Sequence, residues 1–160
     1  MLEIEETMIW LLLIIYQIKH FIADYPLQGK YMLGKFKPYP DFILPLLAHS
    51  EVHGSFTFLI AFCVKGYEAA LALAILDMTI HFAVDRVKAS PDLLGRFSAL
   101  SKKEAIRLMT DGIAPKSVGI STPQEVAEAW KSNTYFWWAL GADQFAHHLT
   151  HYFIIWALVS

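Results

Sequence analysis

Four apolar stretches of this chain each carry two metal-ligand-type side chains four residues apart, and this recurrence constrains the fold more than any other feature. His81 and Asp85 close the apolar run from Ala69 to Ile80. His20 and Asp24 repeat the pair, His49 and His53 give a two-histidine version, and Asp143 and His147 reverse the order. Four residues along an α-helix are a little over one turn, so both members of a pair project from one face, about 6 Å apart along the axis. The spacing predicts an all-α scaffold that brings the four pairs together.

The stretches are long enough to cross a bilayer. The spans expected are 8–27, 42–64, 67–87 and 134–159, near the roughly 20 residues needed for a hydrocarbon core of about 30 Å. Composition agrees, with 56% hydrophobic and only 18% charged residues, against about 25% charged in ordinary soluble domains. The first span should end at Pro26. Gln28 to Asp41, with Gly29, Gly34, Pro38 and Pro40, reads as a basic loop. Lys65–Glu68 is a tight connection that turns the third span back antiparallel to the second. Trp137 and Trp138 fit an interfacial aromatic belt at the start of the fourth. Cys63, the lone cysteine, reads as a buried free thiol. The acidic start (Glu3, Glu5, Glu6) lacks the basic residues of a secretory signal.

Residues 88–133 differ in kind, charged and rich in turn formers, and are expected to form a cytosolic helical insertion. Ser101–Glu104 and Thr122–Glu125 are capping-box patterns that predict short helices to about Thr110 and Ser132. Lys and Arg are balanced there by Asp and Glu, which argues against a nucleic-acid partner and for a cap or protein-facing surface.

In an up-down four-helix transmembrane bundle the pairs fall at one end: near the C-terminal ends of spans one and three, and in the N-terminal halves of spans two and four. Asp77 and His151 lie on the same stripes slightly deeper, as supporting groups or extra ligands. The loops at that end carry most of the Lys and Arg, so positive-inside bias places the site end in the cytosol of a bacterial inner-membrane protein with both termini outside.

A buried carboxylate in a membrane costs several kcal/mol unless neutralised, and a divalent cation neutralises it while also taking neutral imidazole. His20, Asp24, His49, His53, His81, Asp85, Asp143 and His147 are therefore the candidate ligands. Eight groups exceed one tetrahedral site, so two ions are expected, zinc first, with iron or manganese as alternatives. The competing reading is a polar or proton network without metal. Asp85 or Asp143 is the candidate catalytic base. Gln28 and Gln144 are candidates to bond ligands or substrate. Lys88 and Lys19 either hold an anionic substrate or snorkel to lipid phosphates. Glu51 points away from its flanking histidines.

The phrases KHFIADYPLQGK, LLAHSEVHG, HFAVDRVK and GADQFAHHLTHY, in that order, resemble the DUF3307 family of small bacterial and phage membrane proteins. The resemblance implies the four spans and the polar positions but no activity. More distantly, the HxxxD pairs are similar to those of YdjM-type predicted membrane metal-dependent hydrolases and of zinc-dependent phospholipases C. The ligating N-terminal tryptophan of the phospholipases has no counterpart here, and 91–133 takes no part in either likeness. The expected function is a metal-dependent membrane hydrolase of a phosphoester in a lipid or lipid-linked substrate, with membrane lipid and a second copy of the chain as the expected partners. The alternatives are a di-iron oxidoreductase, bis-histidine haem binding, and a non-catalytic membrane interaction protein.

Overall fold

The computed structural model describes residues 2–90, 93–94 and 134–160. It is helical, and no strand occurs among the described residues. α1 spans Leu2–Asp24, α2 Ile43–Lys65, α3 Tyr67–Ala89 and α4 Thr134–Val159, with a short 3-10 helix at Met32–Phe36 between α1 and α2. The two helices expected within 101–132 lie outside the described residues, as does most of the expected insertion.

Three helices are long and apolar enough to cross a membrane: Glu6–Asp24, Ile43–Lys65 and Tyr67–Ala89. α4 is longer, at 26 residues, but Asp143, Gln144, His147, His148 and His151 dilute its hydropathy, and it is not among the three.

Helix ends differ from expectation where local chemistry decides them. α1 stops at Asp24 rather than 27, because Pro26 drives Tyr25 out of the helical region. α3 continues to Ala89, with Arg86 and Lys88 in its last turn, where cations favour the helix dipole. Lys88 therefore belongs to a long helix and not to the segment that follows. Gly66 alone joins α2 to α3, at φ 82° and ψ −173°, a conformation essentially confined to glycine.

Each helix buries one stripe. On α1 it is Leu12, Tyr16, Lys19, His20 and Ala23, a helical repeat of steps three and four. The stripes make two layers. Leu12 and Tyr16 pack with Ala61, Ala70, Ile154, Ile155 and Leu158 as an apolar plug. The other layer holds His20, His49, His53, His81, Asp85, Asp143 and His147, all buried. The outer surface is the converse: Trp10, Ile14, Leu59, Ile75, Phe145 and Trp156 are all more than half exposed. Polar inside and apolar outside is the pattern of a protein solvated by lipid.

Cys63 departs from its expected burial and is exposed. The buried stripe of α2 passes through Thr57 and Ala61, and two residues beyond Ala61 the helix has turned by about 200°.

The connector is not a surface loop throughout. A Cβ on Gly34 would lie 2.8 Å from Pro45 Cγ on α2, so only glycine allows the 3-10 helix to sit this close. Arg86 stacks over the Phe42 ring at 3.6 Å and also reaches the Lys37 carbonyl. Held in this way, the connector turns Lys35 inward, where it is 3% exposed.

Candidate metal centre

The centre forms around Asp24, the last residue of α1. Its Oδ1 lies 3.0 Å from His53 Nε2, 3.4 Å from His49 Nε2 and 4.0 Å from His81 Nε2. Its Oδ2 lies 3.2 Å from His20 Nε2. Three helices thus aim imidazole nitrogens at one carboxylate. The pairs reach it because residues four apart share a helix face.

Asp24, His49, His53 and His81 offer ligand atoms all within 4.8 Å of one another, and His81, Asp85 and His147 form a second such group. His81 belongs to both. Asp85 adjoins the first group as well, with Oδ2 3.3 Å from His49 Nε2. The remaining two expected ligands border these sets. His20 contacts Asp24 and also Gln144 Oε1 at 3.1 Å. Asp143 Oδ1 lies 3.5 Å from His147 Nε2.

The separations suit a metal. Ligands about 2.0–2.1 Å from a tetrahedral ion stand roughly 3.3 Å apart. The Nε2 atoms of His49 and His81 are 3.3 Å apart, and a single proton between them is the most that two neutral rings can share. The rings are held by stacking, with centroids 3.5 Å apart for His53 on His81 and 3.9 Å for His81 on His147. One feature of many metal sites is missing. Ligating histidines usually donate the second ring N–H to a partner, yet Nδ1 of His49, His53 and His81 has none among the described residues. The inward donor set fits divalent ions, and packing rather than outer hydrogen bonds sets the ring orientation.

Three lysines enter the same interior. Lys35 Nζ donates to Asp85 Oδ2 at 2.6 Å and to Gln28 Oε1 at 2.8 Å. Lys88 Nζ donates to Asp143 Oδ2 at 2.6 Å and lies 3.3 Å from Asp85 Oδ1. Lys19 Nζ donates to Asp77 Oδ2 at 2.6 Å. That oxygen also accepts from Thr57 Oγ1 at 2.6 Å, and Lys19 lies 3.2 Å from His151 Nε2. Asp77 and His151 therefore belong to a separate polar group built on Lys19, rather than to the ligand sets. Asp24 is the carboxylate of the four that has no lysine or arginine within ion-pair distance among the described residues.

Sequence reasoning placed Gln28, Gln144 and Lys88 near the centre, and they are there: Gln144 bridges His20 to Asp143, donating to Asp143 Oδ2 at 3.2 Å. Glu51 is exposed and points elsewhere. Lys19 does not snorkel; it is 2% exposed. Lys35 was missed as a site residue, because a lysine in a glycine- and proline-containing connector carries no periodicity that assigns it a face. The one available signal was its place beside Gly34. No protein family, curated protein or solved structure matches the chain.

Proposed function

We propose that this protein is a metal-dependent membrane hydrolase acting on a phosphoester of a lipid or lipid-linked substrate. The observation that carries the reading is the convergence of His49, His53 and His81 on Asp24, with Asp85 and His147 extending it through the shared His81. In this reading α4 is a fourth span, the helices alternate up and down, the ligand layer lies at the cytosolic end of a bacterial inner membrane, and the chain belongs with DUF3307. Two ions, zinc foremost, belong to this reading; the His81 nitrogen that the two ligand groups share can serve one of them, which leaves Asp85 and His147 to the other.

Such ions supply an activated water and polarise a phosphoryl oxygen. The chain's residues divide the remaining work. Both oxygens of Asp85 face lysines, Oδ2 at Lys35 and Oδ1 at Lys88. Asp143 Oδ1 is buried without a hydrogen-bond partner, so Asp143 is the better general base. It takes the proton as the water oxygen bonds to phosphorus and the ester P–O bond breaks, and it returns that proton to the leaving oxygen. Lys88 and Lys35 face the phosphoryl oxygens as charge-assisted donors. Gln144 holds Asp143 and His20 in register.

Elemental analysis of purified protein, combined with phosphate release from phosphatidic acid in mixed micelles, tests the proposal. Stoichiometric zinc, manganese or iron is expected, with release lost in Asp143→Asn while its metal content persists. Metal-free protein from metal-replete cells would overturn it. That outcome would favour a second reading, a proton or polar network. The observation behind that reading is that Lys19, Lys35 and Lys88 already neutralise Asp77, Asp85 and Asp143.

A further inference from the structure

A groove of about 400 Å³ runs between α3 and α4 beside the candidate centre, within the range of about 300–1,000 Å³ common for small-ligand sites. Its walls are apolar: Val84 and Val87 from α3, Leu94 beyond it, and Trp138 from α4. Its floor on α4 is Ala139, Ala142 and Ala146, small residues at steps of three and four that share one helix face. The charged residues that line it are Lys88 and Asp143. Asp143 is 4% exposed and its Oδ1 has no hydrogen-bond partner. Lys88 is the most accessible of the three interior lysines, with its side chain 21% exposed.

We infer that this groove holds the hydrocarbon chain of an anionic phospholipid, with the phosphate drawn against Lys88 at the edge of the ligand cluster; the assignment rests on the hydrolase reading above. The Lys88 ammonium selects the headgroup. Two of its three N–H groups face Asp143 and Asp85, and the third is left to donate to a phosphate oxygen, while a neutral headgroup has no charge to offer it. Continuity selects the position, because Lys88 lies 2.6 Å from Asp143 and 3.3 Å from Asp85. A lipid lying in the groove therefore presents its phosphoester to the cluster. The surrounding surface selects the chain. Val87 and Trp138 are 45% and 61% exposed at the groove's rim, so an acyl chain enters sideways from the bilayer without crossing water.

The test uses the full chain in nanodiscs, with phosphatidic acid carrying a diazirine midway along one acyl chain as the probe. After photolysis, peptide mapping should find adducts on Val84, Val87, Ala139 and Ala142. Ala142→Phe should abolish them; Ala142 is exposed, so the added ring fills the groove and not the core. Ala139→Phe is the second occluding variant. Lys88→Gln should weaken phosphatidic acid labelling roughly tenfold, the loss of one charge-assisted hydrogen bond, and leave labelling by the matching diacylglycerol probe unchanged. Adducts spread over the outer faces of all helices and indifferent to both phenylalanine variants would overturn the inference. So would protection by inorganic phosphate with no chain adduct in the groove. Metal content measured on the same samples separates the two claims. Groove labelling in metal-free protein retains the lipid site and overturns the hydrolase, whereas metal without groove labelling does the reverse.

Discussion

Lys19 offers the sharpest energetic test, because its pairing is independent of any bound ion. Its ammonium lies 2.6 Å from Asp77 Oδ2, and both side chains are 2% exposed. Lys19→Met keeps most of the aliphatic stem but leaves the Asp77 charge buried with only Thr57 donating to the same oxygen. Breaking a buried pair from one side costs about 3–5 kcal/mol, while replacing both partners with groups of similar volume is often nearly neutral. Lys19→Met is therefore expected to destabilise by about 3 kcal/mol, at the lower end because the Thr57 bond survives. Combined with Asp77→Asn, the loss should shrink to about 1 kcal/mol, and the positive coupling should exceed roughly 1.5 kcal/mol. Equilibrium unfolding in mixed micelles, followed by tryptophan fluorescence, gives all four corners of the cycle. A single Lys19→Met variant within about 0.5 kcal/mol of the parent, the range of ordinary surface substitutions, would refute the reasoning. Strictly additive losses would refute it equally.

The other predictions address the ligand layer, the turn and the lipid face. Asp24→Asn retains shape but removes the charge on which four imidazoles converge; bound metal should fall by more than the roughly 10–100-fold seen when only an outer partner is lost, read by elemental analysis after dialysis against chelator. Gly66→Ala forces a side chain into a conformation that costs about 1–3 kcal/mol, so its thermal midpoint in detergent should drop while its metal content holds. Trp10 and Trp156, 67% and 61% exposed, should be quenched by lipids brominated on their acyl chains and not by aqueous iodide. Quenching by iodide alone would place these faces in water.

The three interior lysines change how the centre's charge is counted. Four aspartates face three ammonium groups, and the ion pairs account for Asp77, Asp85 and Asp143. Asp24 is left to the imidazoles, which makes it the carboxylate that a bound cation would neutralise. The basic count at the site end changes as well, since Lys35 is buried against Asp85 and Lys88 is paired with Asp143 and Asp85 at the groove's edge.

The chain's periodicity alone determined that these segments are helices, that each pair shares a face, and that the pairs lie at matching positions along their helices. Those are properties of local spacing: a side chain's direction on a helix follows from its residue number. The tight Gly66 connection was legible for the same reason, since few residues separate two apolar runs. The tertiary structure decided what that spacing cannot encode. Asp24 is the point of convergence because its helix ends there; His81 is shared because α3 packs between partners. Asp77 turns to Lys19 and Thr57 instead of to the ligand layer. Cys63 faces outward because the helical phase of α2, set by its buried partners, leaves it there. Lys35 reaches Asp85 across fifty residues of chain only because Gly34 lets the connector settle against Pro45. Contacts between segments depend on which surfaces fit, and that fit is a property of the assembled helices.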